Sequence, residues 1–164
     1  MDKKILIPNA AMLIDSMRSI GYSFETAVAD IVDNSIYARA TEIRLVHQIF
    51  GKDPYFAILD NGVGMTFDEL QNAMVYGAKN PNDVRDENDL GRFGLGMKSA
   101  SMSQCRNMLV ISKKNGTLNG FSWDLDYVIE TQEWASKSFT EKDIKKFKNK
   151  EIKELIGMES VAPK

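Results

Sequence analysis

A single cysteine, Cys105, and a single histidine, His47, are all that the 164 residues hold of either type. One thiol cannot close an internal disulfide, and that suits a reducing cytoplasm. One histidine with no cysteine cluster leaves no zinc site. Cys105 has no histidine near it in sequence and reads as structural. No window approaches the ~18 consecutive apolar residues of a membrane span. The apolar run in Met1-Asp2-Lys3-Lys4-Ile5-Leu6-Ile7-Pro8 is too short for a signal peptide. A net charge of −2 gives no global pull toward nucleic acid or membrane, although a local basic surface is compatible with it. Internal repeats and low-complexity linkers are also missing.

What remains is the composition of one globular domain, residues 1–164, with 43% hydrophobic and 27% charged residues and enough chain for a sizeable core. Ala10 to Ile20 reads as a helix ended by Gly21. Ser23 caps a second helix running to about Ala38. Its apolar stripe is Val28, Ile31, Val32, Ser35 and Ile36, and Asp30, Asp33, Asn34 and Tyr37 fall on the opposite side. Ile43, Leu45, His47 and Ile49 then alternate with polar residues, the signature of a strand. Its apolar face gives His47 a core or pocket-wall role. After the turn Gly51-Lys52-Asp53-Pro54, the segment Tyr55 to Leu59 reads as a buried strand ending at Asp60 and forming a hairpin with the first.

Thr66 with Glu69 forms a capping box ahead of a helix with Phe67, Leu70 and Met74 on one face. Residues 77–94 are rich in Asn, Asp and Gly and nearly devoid of apolar side chains, the character of a lid. A helix from about Leu95 to Gln104 follows. Strands near Met108–Ser112 and Leu118–Leu125 flank the turn Asn115-Gly116. Thr140 and Asp143 cap one last helix carrying Ile144, Phe147, Ile152, Leu155 and Ile156.

Three segments carry chemistry. Asp30 and Asn34 stand one turn apart on a helix. An amide oxygen can ligate Mg²⁺, a hard cation that prefers oxygen donors, and a carboxylate beside it can deprotonate a water attacking a phosphate. Taken alone, this segment favours the plainer reading of a solvated helix face. Asp60 ends a strand and is followed by Gly62 and Gly64. Its carboxylate can accept from an exocyclic amine such as that of adenine, and the glycines let backbone approach a flat ring. An ordinary Asp-Asn-Gly turn accounts for it as well. Gly91, Gly94, Gly96 and Lys98 form a glycine-rich run into a helix start, where free N–H groups receive anions and a mobile lysine can reach a terminal phosphate. The run lacks the Gly-Lys-Ser/Thr ending of a Walker loop and the spacing of the dinucleotide fingerprint. A flexible hinge with a solvated lysine is the plainer alternative.

In order and spacing, Asp30-x-x-x-Asn34, Asp60-x-Gly62-x-Gly64 and Gly91-x-x-Gly94-x-Gly96-x-Lys98 together resemble the three boxes of the GHKL ATPases. That superfamily takes in gyrase B, the ninety-kilodalton heat-shock chaperones, histidine kinases and MutL. The run from Phe93 to Met102 looks most like the MORC branch, and the match covers roughly residues 20 to 125. The resemblance implies a Bergerat fold: an α+β, two-layer sandwich with helices on one face of a mixed, mostly antiparallel sheet and ATP between sheet and lid.

Carried over residue by residue, the resemblance makes Asn34 the Mg²⁺ ligand, Asp60 the adenine reader and Asp30 the general base. Gly62, Gly64 and Met65 shape the base pocket, with Thr66 assisting indirectly. Gly91, Gly94, Leu95, Gly96, Met97 and Lys98 hold the phosphates. The family usually has Glu where this chain has Asp30. One methylene fewer shortens its reach by about 1.5 Å, and misplacement on that scale can cost roughly 10²-fold. Such domains also usually continue into another strand after a helix like the last one, so the chain is expected to be the amino-terminal part of a longer protein.

The implied function is Mg²⁺-dependent ATP binding with slow hydrolysis, ADP being the product, in a cytoplasmic conformational switch that no membrane holds. Full-length homodimers formed with ATP, and DNA contact through further domains, belong to the same expectation. A non-hydrolysing nucleotide-binding or assembly module is the alternative. A protein kinase module is disfavoured, because no phosphoacceptor histidine precedes the domain.

Overall fold

The computed structural model describes residues 4, 8–19, 22–77 and 96–157. In chain order these form α1 (Ala10–Arg18), α2 (Phe24–Tyr37), β1 (Ile43–Gln48), β2 (Tyr55–Asp60), α3 (Phe67–Met74) and α4 (Gly96–Gln104), followed by β3 (Asn107–Lys114), β4 (Thr117–Asp124), α5 (Leu125–Thr131), β5 (Lys137–Thr140), α6 (Glu141–Ile144) and α7 (Lys150–Gly157). The architecture is α+β, and every described strand pairing is antiparallel.

Local chemistry sets most of these boundaries. Ser23 accepts from the Thr26 N–H and starts α2. Thr66 and Glu69 complete both halves of their capping box at α3. Asn115 and Gly116 both have positive φ, 52° and 77°, the backbone that a two-residue hairpin between β3 and β4 demands.

The strands fall into two groups, β1–β2 and β3–β4–β5. Central strand β4 is buried on both faces from Gly120 to Trp123. Helices α3 and α6 lie against it. Ile14, Leu70, Met74, Trp123, Leu125 and Val128 fill the core between α1, α3, α5 and this sheet. The loop after β2 joins the two groups, its Met65 N–H donating to Ser112 Oγ on β3 at 2.8 Å.

Helix α2 lies over β2 rather than over the whole hairpin. Phe24 meets Phe56 edge to face at one end, and Ser35 bonds Asp60 at the other. Strand β1 stays outside that cover, so Leu45 is 51% exposed. His47, expected in the core or a pocket wall, is exposed. The period-two pattern is present, but burial favours the opposite face, which carries Leu59. Arg44 and Tyr55 on that face bond Glu154 and Glu151 of α7. The stripe of α2 is likewise rotated: Ala27 and Ser35 are its buried residues, and Ile36 points out.

Three further differences concern the C-terminal half. Helix α5 takes over where a strand was expected to run on to Leu125, because Asp124 Oδ1 accepts from the N–H groups of Asp126 and Tyr127. Strand β5 is short and adds to β4. The expected single last helix is two. Phe147 turns back onto Phe139, and Asn149 Oδ1 accepts from the Ile152 N–H to begin α7 afresh. Helix α1 ends at Arg18; the expected end at Ile20–Gly21, and any strand after residue 157, lie outside the described residues.

Candidate functional site

Helix α2 carries or touches the first two motifs. Tyr22 donates its hydroxyl to Asp30 Oδ2 at 2.9 Å, which holds the Tyr22 pKa above its ordinary value, with burial adding to the effect. Asn34 Nδ2 donates to the Asp30 carbonyl at 2.8 Å. Its amide nitrogen is therefore engaged, and the residue is exposed, with the amide oxygen as its acceptor. Such an oxygen fits Mg²⁺, which takes one or two protein oxygens and fills the remaining positions with water and substrate phosphate. No cluster of three or more acidic, histidine or cysteine side chains competes for a cation among the described residues.

Asp60 is held on both oxygens. Oδ2 accepts from Ser35 Oγ at 3.0 Å and Oδ1 from the Gly62 N–H at 2.8 Å. Each carboxylate oxygen has a second lone pair left for an incoming amine. Ser35 is buried and follows Asn34 directly, so one turn of α2 addresses both the candidate metal ligand and the candidate base reader. A serine in an otherwise apolar stripe was the signal for this contact. Nothing in the sequence marked Tyr22.

The two glycines after Asp60 are constrained by protein, not by open space. A Cβ on Gly62 would come within 2.8 Å of Ala38 Cβ, and one on Gly64, where φ is +66°, within 2.0 Å of the Lys113 carbonyl oxygen. They dock the loop onto the end of α2 and onto β3. Asn61 is equally structural, its Oδ1 accepting from the Thr41 and Glu42 N–H groups. Thr66 caps α3, and Met65 packs against the core.

From the third motif, Gly96 opens α4 beside the general-base candidate: a Cβ there would lie 3.8 Å from Asp30 Oδ2. Met97 packs against the core. Lys98, expected to hold the phosphates, stands in the first turn of α4. It is 2% exposed, and its ammonium donates to the Ala73 carbonyl at 2.6 Å, where a cation complements the C-terminal end of α3. Gly91, Gly94, Leu95 and nearly all of the expected lid, 77–94, lie outside the described residues.

A separate concavity of about 690 Å³ is lined by Tyr76, Phe121, Trp123 and Trp134 and holds none of the candidate site residues. The rings of Tyr76, Trp123 and Trp134 meet edge to face. Cys105 is half-buried, its Sγ–H donating to the Ser101 carbonyl, and burial pushes its thiol pKa up. That environment is structural rather than reactive.

Residues 22–156 match the family model described as histidine kinase-, DNA gyrase B-, and HSP90-like ATPase. The chain belongs to that family. Within this GHKL family, relatives at modest identity fall in the MORC branch. The chain is 27% identical over 93 residues to ATPase morc-1 of Caenorhabditis elegans, covering 57% of this chain and 10% of that protein. It is 30% identical over 96 residues to mouse (Mus musculus) ATPase MORC2B, covering 57% of this chain and 9% of that protein. The mouse MORC family CW-type zinc finger protein 3 is 27% identical over 96 residues, again 57% of this chain and 10% of the relative. This GHKL domain thus spans about a tenth of the length of these relatives. No described helix is long and apolar enough to cross a membrane.

Proposed function

We propose that this GHKL domain binds Mg²⁺-ATP and hydrolyses it slowly, as a conformational switch of a larger cytoplasmic protein. The observation that carries the reading is the meeting of all three motifs on α2: Asp30 against Gly96, Asn34 one turn on, and Ser35 fastened to Asp60. Asp60 reads the adenine amine. Asn34 holds Mg²⁺, which supplies charge neutralisation at the phosphates when bound. Residues 91–98 embrace the phosphates, residues 77–94 close over them, and full-length protein pairs with a second copy in that state. DNA is a partner only through further domains.

The test is calorimetry with a non-hydrolysable ATP analogue and Mg²⁺. The parent binds, and Asp60→Ala binds at least tenfold more weakly. Unchanged affinity in that variant rejects the adenine assignment. Asp30→Asn is expected to abolish phosphate release while sparing affinity, and turnover at the parent rate removes Asp30 as the base.

Two observations favour a second reading, a non-hydrolysing nucleotide-dependent assembly module: the short side chain of Asp30, and the seat of Lys98 on α3. Steady-state phosphate release from full-length protein separates the two.

A further inference from the structure

We infer that Tyr22 is the positioning residue of Asp30: its hydroxyl fixes the carboxylate in one orientation beside Gly96, and that orientation meets the attacking water. The inference rests on the reading of Asp30 as general base. Asp30 Oδ2 accepts the Tyr22 hydroxyl at 2.9 Å and lies on the side facing Gly96. No described residue bonds Oδ1.

Tyr22 is itself anchored independently of that hydroxyl. Its backbone carbonyl accepts from Gln104 Nε2 at 2.9 Å, at the C-terminal end of α4. Helix α4 thus touches the pair at both ends, with Gly96 beside the carboxylate and Gln104 on the tyrosine backbone. A change in how α4 sits against α2 is transmitted to Asp30 through two contacts.

The physical need follows from the shortness of the base. A carboxylate on one methylene has little reach, so the direction of its free oxygen decides whether a water held by it lines up with phosphorus. Unrestrained, the carboxyl group rotates about χ2 over a broad range. A third group bonded to the base removes that freedom, as in other nucleophile–base–orienter arrangements. The phenol is protonated and able to donate at neutral pH even at its ordinary pKa near 10, and the Asp30 bond raises that pKa further.

In the step itself, the water oxygen forms a bond to the γ-phosphorus and its proton passes to the Asp30 carboxylate. The bond from γ-phosphorus to the bridging oxygen breaks, and its electron pair leaves with ADP. Tyr22 neither gains nor loses a proton.

Tyr22→Phe tests this on the full-length protein, because it deletes the hydroxyl while keeping the ring and the carbonyl bond to Gln104. The expected result is a fall in kcat of roughly tenfold, with KM and the affinity for a non-hydrolysable analogue within twofold of the parent. Gln104→Ala, which removes the backbone anchor and the Gln104 bond to Ser103 Oγ but leaves the Tyr22 hydroxyl, serves as a stability control and should change kcat less. If Tyr22→Phe turns over within twofold of the parent while Asp30→Asn is inactive, the inference is overturned and the base assignment stands. Equal losses in affinity and kcat also overturn it, since a merely structural tyrosine would produce them. If Asp30→Asn retains the parent rate, the base reading fails and this inference with it.

Discussion

Gly64 touches the backbone of Lys113, and a methyl group in place of its α-hydrogen would sit 2.0 Å from the Lys113 carbonyl oxygen. Its φ of +66° already disfavours any side chain. Gly64→Ala therefore combines a left-handed backbone with overlap against a strand that cannot yield, at a cost of about 2–4 kcal/mol. Urea unfolding measures this, and a loss under about 1 kcal/mol would show that the loop is not clamped on β3.

Glu69 offers a prediction in pH. Its carboxyl is lowered from 4.5 to about 2, first by Lys114 and then by the Thr66 N–H. A carboxylate held down in the fold contributes stability above pH 4.5, and that contribution drains away as the pH falls toward 2. The side chain is 51% exposed, so the amount is under about 1 kcal/mol. Glu69→Gln should reduce stability at pH 7 by this amount and match the parent near pH 2. A variant difference that is constant with pH contradicts the assignment.

Lys98→Met should destabilise the nucleotide-free protein by about 1–3 kcal/mol, because the Ala73 carbonyl loses a charged donor in a buried setting. Thermal or urea unfolding without nucleotide reads it. A variant as stable as the parent, yet weakened in nucleotide binding, would assign the ammonium to phosphate instead of to α3.

Ser35→Ala frees Asp60 Oδ2 while leaving the Gly62 bond to Oδ1 intact. Nucleotide affinity should fall roughly ten- to a hundredfold, the worth of one hydrogen bond to a charged group. Calorimetry decides, and equal affinity would mean that Gly62 alone orients the carboxylate.

Legibility in the sequence varied with how local the cause was. The Thr66–Glu69 box, the Ser23 cap and the Asn115-Gly116 turn all act within four residues, and each stands in the structure where the residues put it. Capping by Asp124 is just as local, but the apolar run through Leu125 masked the start of α5 behind a strand pattern. Phe147 could not be read correctly, because its turn back onto Phe139 depends on β5 joining β4.

By itself the sequence determined the order of the elements through β4, the α+β class, the family and the three motifs, because periodicity, capping and spacing act along the chain. Tertiary structure alone decided which face of β1 is exposed, that Gly62 and Gly64 are docking points, that Lys98 reaches α3 and that Tyr22 holds Asp30. Each of these depends on the approach of segments from different elements, and such an approach is set by packing as a whole, which no local pattern encodes.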